Sequence, residues 1–187
     1  MASTTMTETG TSTWELDPAH SSVEFAVKHM MLTTVKGRVS ALKGTIELDE
    51  ANPAASGVEV EFDAGSIDTR SEQRDEHLRS ADFLNVAEHP TMRFVGRRLE
   101  NVGPAEGSRF RLTGDLTIRG TTREVTLDAV YEGRGVDPWG GERVSFAAET
   151  TFDRRDFGLV WNQTLESGGL LVSTGVKVTI DIQAVRA

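Results

Sequence analysis

Hydrophobic and polar residues alternate along several stretches of this chain, most clearly over residues 21–32 (SSVEFAVKHMML). At a period of two, one face of this stretch carries Val23, Phe25, Val27, His29 and Met31. A strand with one apolar and one polar face is typical of an antiparallel sheet or barrel. His29 is unusual because it places an ionisable side chain on the apolar face.

The same alternation recurs through the chain and predicts about eight strands with short connections, starting with a short strand at Trp14–Leu16. A change of parity near Leu42-Lys43 predicts a bulge or bend. This pattern favours an all-β sandwich or barrel. The inward positions of the later strands include Val35, Val39, Ile46, Leu48, Val58, Val60, Phe62, Met92, Phe94, Phe110, Leu112, Leu116, Ile118, Val125, Leu127, Val144, Phe146, Phe152, Val176, Val178, Ile180 and Ile182.

Residues 66–84 interrupt the strand pattern, because they show no period of two. Thr69 and Glu72 have the spacing of a capping box and predict a helix over about residues 70–80. Its apolar face is thin and consists mainly of Leu78. We therefore expect this helix to cover one end of the sheet rather than to form a core layer.

Length and composition restrict the function. The 187 residues suit one domain at 14–187, preceded by a flexible Thr/Ser-rich tail at 1–13. The net charge of −9 arises in residues 1–90, which argues against nucleic-acid binding. The sequence contains neither a membrane span nor a signal peptide, so we expect a soluble cytoplasmic protein without stable membrane insertion.

The sequence shows no nucleotide-binding or hydrolase motif and no cysteine. The histidines lack the spacing of metal ligands, so we expect no catalytic residue, no metal and no cofactor. An enzyme that uses His29 or the pair Asp75/His77 as acid–base groups remains an alternative. A polar mouth that meets a ligand head group and ion pairs that tie the helix to the rim are the other interpretations of that pair. A hydrogen-bonded core histidine is the other interpretation of His29.

Residues 154–158 (RRDFG) follow a strand without clean alternation. They are interpreted either as a loop or bulged edge, or as a basic rim that attracts an anionic head group.

The volume of the barrel supports the main hypothesis. About eight strands can be filled by side chains or can hold one small ligand. Small inward residues at Gly37, Gly114, Ala129 and Ala148 favour an elongated apolar channel, although a packed structural module remains an alternative. The predicted ligand-binding residues are Val23, Phe25, Val27, His29, Met31, Val39, Val60, Phe62, His77, Leu78, Phe83, Phe94, Leu112, Leu116, Phe146 and Trp161.

Several ordered motifs resemble the YceI-like, polyisoprenoid-binding family, at residues 14–30, 66–84, 89–94, 114–127 and 154–159. The resemblance implies an extended lipocalin-like antiparallel barrel. It also implies a non-enzymatic carrier of an amphiphilic isoprenoid-type lipid, such as a polyisoprenoid or an isoprenoid quinone. Family members often form dimers and are often exported, so the resemblance adds a homodimer to the expectations, whereas this sequence lacks the export signal.

Overall fold

The computed structural model describes residues 10–40 and 42–187, apart from the side chain of Leu42. These residues form mainly strands, together with one α-helix, α1 (Glu72–Arg79). The strands are β1 (Thr11–Leu16), β2 (Ser22–His29), β3 (Thr33–Val39), β4 (Leu42–Asp49), β5 (Gly57–Asp63), β6 (Thr91–Glu100), β7 (Arg109–Ile118), β8 (Thr121–Val136), β9 (Glu142–Asp153) and β10 (Gly175–Arg186). Short 3₁₀ helices occupy Pro18–His20, Pro53–Ala55, Ala64–Ser66 and Arg154–Phe157.

All strand pairs are antiparallel, and the sheet closes on itself through β1 and β10. β10 pairs with β2 near its start and with β1 at its end, so β1 and β2 occupy one position in the barrel. β3 and β4 occupy the next position, because β3 pairs with β2 and β4 pairs with β1. The ten segments therefore form a closed eight-stranded barrel, which confirms the predicted fold class.

The first strand begins earlier than the sequence predicts. β1 starts at Thr11, because Ser12 and Trp14 both face the interior and Trp14 Nε1 donates a 2.8 Å hydrogen bond to Ser12 Oγ. Residues 11–13 therefore belong to the barrel rather than to the predicted tail, and residues 1–9 of that tail lie outside the described residues. The predicted change of parity near Leu42 coincides with the gap between β3 and β4, where Ala41 lies outside the described residues.

A two-residue hairpin joins β7 to β8. Arg119 and Gly120 have φ angles of 49° and 70°, the left-handed values that a tight type I′ turn requires at both central positions. Glycine reaches this region without a steric penalty, so it suits the second position. This turn fixes the register in which the inward faces of β7 and β8 oppose each other.

The interior is packed differently at the two ends. Trp14 is fully buried (0% exposed) in a cluster with Val144 and Ala184, at the end where β10 finishes. Arg134 stacks over Trp14, with its guanidinium carbon 5.0 Å from the ring centroid. These side chains fill that end of the barrel.

The other end carries the two longest connections, residues 64–90 and 154–174. α1 lies in the first of them, and Leu78 packs against the core below. The predicted capping box is wrong: Ser71 is the N-cap residue, and no side-chain hydrogen bond caps the helix. Thr69 instead donates to Asp75 Oδ1 through its backbone N (2.9 Å) and its Oγ1 (2.5 Å), so the helix is anchored through a residue of its first turn.

Candidate functional site

The barrel encloses a cavity of about 510 Å³. This volume lies within the usual range of ligand sites, about 300–1,000 Å³. The cavity is lined by the inward faces of the strands and by residues of the two long connections. The predicted residues that line it are Val23, Phe25, Val27, His29, Val39, Val60, Phe62, His77, Leu78, Phe83, Phe94, Leu112, Leu116, Phe146 and Trp161.

Met31 is the predicted residue that the structure places elsewhere. β2 ends at His29, and Met30 and Met31 have φ angles of 52° and 58° in the hairpin tip before β3. The strand alternation therefore stops two residues before Met31, whose side chain is 68% exposed. The prediction that Met31 lines the channel was wrong.

The small inward residues divide into two groups. Ala129 and Ala148 are cross-strand partners and both line the cavity. A Cβ atom on Gly114 would approach the Phe94 ring to 2.6 Å, so that glycine provides space for an aromatic ring. Gly37 does the same for Phe25. The alanines, rather than the glycines, leave the free volume that the sequence predicts.

The cavity extends along the barrel. Val176, Val178, Ile180 and Ile182 on β10 line it at alternate positions. At about 3.3 Å per residue, the six-residue separation from first to last corresponds to roughly 20 Å. The lining along this length is apolar, so the shape matches an extended hydrophobic chain.

Polar lining residues are concentrated at the end that carries α1. Among the described residues no aspartate or glutamate lines the cavity, although the chain has a net charge of −9. The polar and charged lining residues are Lys28, His29, Ser56, Thr69, Arg74, His77, Thr150 and Arg154. Lys28 is largely exposed and donates to Thr34 Oγ1 at 2.8 Å, so its charge lies toward solvent.

Arg154 is the most buried cation of this lining, with 4% exposure. It donates to four backbone carbonyls: Ser173 O (3.0 Å), Leu159 O (2.6 Å), Trp161 O (2.9 Å) and Val172 O (3.4 Å). All four carbonyls belong to the connection at residues 154–174, so these bonds organise that segment around Arg154. The sequence left residues 154–158 open between a loop or bulged edge and a basic rim, and it did not predict that Arg154 begins a 3₁₀ helix and turns inward.

The surroundings of Arg154 shift its pKa in opposite directions. Burial lowers the pKa of Arg154 below its usual range, whereas the negative charge of Asp153 acts in the opposite direction. The Asp153 carboxylate is itself bound by Arg155, whose hydrogen bonds lower the pKa of Asp153 to about 2. No carboxylate lies within 4.0 Å of the Arg154 guanidinium in the described part of the chain.

An aromatic cluster stands beside Arg154. The ring centroid of His77 lies 5.1 Å from that of Phe83 and 4.6 Å from that of Trp161, both edge to face. The Arg154 guanidinium carbon lies 5.9 Å from the Phe83 ring centroid. We call Arg154, His77, Phe83 and Trp161 the polar-end cluster.

The structure separates the two members of the proposed acid–base pair. His77 Nε2 lies 2.8 Å from Asp82 Oδ2, whereas the Asp75 carboxylate is buried and bound to Thr69. Arg74 reinforces that contact by donating to Thr69 Oγ1 (2.7 Å) and Thr69 O (2.8 Å). These hydrogen bonds join residues 69–75 of one connection, so they fix the start of the helix rather than tie it to the barrel rim.

His29 lines the cavity and is half buried. Its backbone forms an isolated bridge with Val172. Its imidazole has no hydrogen-bond partner within residues 10–40 and 42–187, so the interpretation as a core histidine fixed by a neighbour is not supported. Contact between His29 and a ligand stays a prediction.

Most lining positions that the sequence did not single out lie in the long connections, among them Ile67, Leu84, Leu159, Leu171 and Val172. Irregular segments have no periodicity, so alternation could not identify them. Within the described residues, no group of three or more histidine or carboxylate side chains is arranged to hold a metal ion. The described helices also include none that is long and apolar enough to cross a bilayer.

The closed antiparallel barrel, its single short helix and its elongated apolar cavity define a lipocalin-like β-barrel protein. The chain belongs to the YceI-like domain family, whose model matches residues 14–184. A UPF0312 protein of Pectobacterium atrosepticum is 38% identical over 89% of this chain and 82% of its own length. Protein YceI of Escherichia coli O157:H7 is 41% identical over 75% of this chain and 71% of its own length.

Solved structures show the same fold. BcnA of Burkholderia cenocepacia superposes with a TM-score of 0.76 at 20% identity, covering 90% of this chain and 98% of that protein. The Campylobacter jejuni YceI protein gives a TM-score of 0.71 at 26% identity, covering 86% and 90%. A domain of Saccharophagus degradans described as polyisoprenoid binding gives 0.67 at 15% identity, covering 93% and 98%.

Proposed function

We propose that this protein is a non-enzymatic binding, carrier or sequestration protein that holds a polyisoprenoid or isoprenoid-quinone-like amphiphilic lipid in its barrel. The observation that carries the proposal is the apolar cavity of about 510 Å³. Protein interiors are normally close-packed, so a cavity of this size implies an occupant. Burial of a hydrocarbon tail stabilises its complex in proportion to the apolar area removed from water, by about 25 cal/mol per Å².

The shape of the cavity favours a chain over a compact ligand. The lining runs for roughly 20 Å along β10 and is apolar on all sides for most of that length. Isoprenoid tails are long, branched and apolar, so they match a lining of Val, Ile, Leu and Phe side chains. The polar-end cluster supplies a place for the head group at one end.

The family and the fold support the same interpretation. The chain shares its architecture with the Saccharophagus degradans domain described as polyisoprenoid binding. Membership of the YceI-like family also supports a binding protein with a barrel fold. The separation of Asp75 from His77 removes that pair as an argument for the enzyme alternative, which then rests on His29 alone. The homodimer and the cytoplasmic location stay predictions.

The proposal is tested by filling the cavity. Ala148 lies opposite Ala129 across β8 and β9, and both line the free space. Ala148→Phe should occupy that space and weaken binding of a polyprenol by about tenfold or more, which corresponds to roughly 1.4 kcal/mol. Ala147→Phe is the matched control, because residue 147 is adjacent but does not line the cavity.

Binding is measured by native mass spectrometry and by titration of delipidated protein, with the change in tryptophan fluorescence as the signal, because Trp161 lines the cavity. We expect saturable binding for the unmodified chain and the Ala147→Phe variant. Protein that stays empty after expression and shows no saturable binding of polyprenols or isoprenoid quinones contradicts the proposal. Equal affinities of the two phenylalanine variants would place the ligand outside the cavity.

A further inference from the structure

The charge distribution of the cavity specifies more than a hydrophobic tail. The described cavity wall contains several cations and no carboxylate, in a chain whose net charge is −9. Acidic side chains are therefore abundant in the protein but absent from this surface. A ligand in the cavity therefore meets positive charge at the α1 end and an uncharged apolar wall along β10, which we call the apolar shaft.

Arg154 contributes most to the positive charge at this end of the cavity. It is 4% exposed and has no carboxylate within 4.0 Å among the described residues. Burial of a charge is costly unless it is paired and hydrogen-bonded, and backbone carbonyls satisfy its hydrogen bonds without neutralising its charge. An anion bound beside Arg154 would supply the missing opposite charge.

Arg154 also retains donor capacity. A guanidinium has five N–H groups, and four hydrogen bonds to carbonyls are formed here. The weakest of them joins Nη2 to Val172 O at 3.4 Å, beyond the usual range for an N–H···O bond. Nη2 is thus the nitrogen with an N–H group available for a ligand oxygen.

The neighbouring acidic groups are already engaged. Asp153 is held by Arg155 at 2.5 Å, Asp82 by His77 at 2.8 Å, and the Asp75 carboxylate by Thr69. Arg74 also lines the cavity, but its side chain is exposed and donates hydrogen bonds to Thr69. The buried cation without a carboxylate of its own is Arg154.

We propose that the polar-end cluster is a receptor for an anionic, oxygen-bearing head group, a phosphate ester or a carboxylate, with Arg154 as its counter-ion. This inference rests on the proposed function, because the tail of the same ligand occupies the apolar shaft. Phe83 and Trp161 flank the head group and shield it from water, which strengthens the charge interaction. His77 stands on the α1 side of the site.

The test compares ligands that share a tail and differ in the head group. Geranylgeranyl phosphate and geranylgeraniol form one pair, and palmitate and hexadecanol form a second pair that separates a phosphate from a carboxylate preference. We expect the unmodified protein to bind the anionic member of at least one pair about tenfold more tightly, as one charge-assisted hydrogen bond would give. Titration of each lipid, followed by the change in tryptophan fluorescence, gives each affinity.

Variants then assign the preference to Arg154. Arg154→Gln should reduce the preference to within about twofold, and Arg154→Lys should retain part of it because the charge remains. Arg70→Gln is the matched control, since this arginine is exposed, lies in the connection that carries α1 and does not line the cavity. It should leave the preference unchanged. Circular dichroism and thermal melting verify that each variant is folded.

The outcomes separate this inference from the proposed function. Equal or weaker binding of both anionic lipids by the unmodified protein overturns the inference, even if the Arg154 variants fail to fold. The carrier function survives in that case as long as geranylgeraniol binds. Failure of every lipid to bind overturns the proposed function itself. A preference that persists in Arg154→Gln shows that another group holds the anion and removes Arg154 from the site.

Discussion

The ring of Phe25 covers Gly37, its partner on the neighbouring strand. A Cβ atom on residue 37 would lie 2.3 Å from Cζ of Phe25 and 2.8 Å from Cγ2 of Thr69. The glycine therefore determines where this ring sits in the cavity wall, close to the residue that anchors α1.

Gly37→Ala should displace the Phe25 ring toward the cavity. Overpacking of this kind costs about 1–3 kcal/mol, so we expect the free energy of unfolding in urea to fall by that amount. The same substitution should cost much less in a Phe25→Leu background, because leucine lacks the ring atoms that clash. A double-mutant cycle measures this coupling, and strictly additive effects would contradict the proposed contact.

An ion-pair network at the end opposite α1 makes stability depend on acid pH. Arg143 Nη1 lies 2.7 Å from Asp17 Oδ2, and its Nε lies 2.9 Å from Asp137 Oδ2. The hydrogen bond from Arg143, followed by that of His20, lowers the pKa of Asp17 from 3.8 to about 2. A carboxyl whose pKa is lower in the folded state stabilises the protein above the unfolded pKa, and loses this contribution as the pH falls toward 2.

Asp17→Asn should therefore reduce the free energy of unfolding by about 1 kcal/mol at pH 7, the upper value for ion pairs near the surface. The difference from the unmodified protein should shrink between pH 4 and pH 2, where the native carboxyl becomes protonated. Urea unfolding across this range provides the measurement. Asp181→Asn removes an exposed carboxylate with no ion pair among the described residues and should change little; a constant Asp17→Asn deficit at every pH would contradict the linkage.

The contact between Thr69 and Asp75 should control the local stability of α1. Asp75→Ala leaves the buried Thr69 N–H unpaired, at a cost of about 1–3 kcal/mol, and Asp75→Asn should cost less because its oxygen can still accept. Amide exchange should accelerate across residues 66–84 in the alanine variant while β8 and β9 stay protected. Glu76→Ala on the exposed side of the helix is the control. Faster exchange throughout the barrel would show instead that Asp75 supports the fold globally.

Strand alternation predicted most of the barrel and its lining, because a closed barrel assigns every second residue to the interior. Phe25, Val60 and Phe146 lie in the cavity wall for this reason. His77 was singled out instead as a polar residue of the predicted helix, and Trp161 lies in a segment without clean alternation. Whether these residues contact a ligand stays a prediction.

The remaining features depend on contacts between segments distant in sequence. Arg154 faces inward because carbonyls of residues 159–173 surround its guanidinium, and no local pattern encodes that arrangement. Thr69 and Glu72 have capping-box spacing, yet Thr69 binds Asp75 and leaves Ser71 as the N-cap residue. Local spacing lists the available partners but does not select among them.

The hairpin tip between β2 and β3 lacks the residues that its turn favours. Met30 and Met31 have φ angles of 52° and 58°, and Leu32 N donates to His29 O at 3.0 Å. Two successive residues with left-handed φ favour Asn-Gly, because left-handed backbone costs other residues roughly 1–2 kcal/mol each. The absence of a turn signal at residues 30–31 also explains why the sequence extended the strand to Met31.

Replacement of these two methionines should stabilise the protein. Met30→Asn combined with Met31→Gly should raise the free energy of unfolding by about 1–2 kcal/mol, because both residues then adopt the left-handed region at low cost. Met30→Ala combined with Met31→Ala is the matched control, since it removes the same exposed apolar side chains without relieving the backbone. Urea unfolding of both variants separates the two effects. An equal gain in both would assign the stabilisation to lost apolar exposure rather than to the turn.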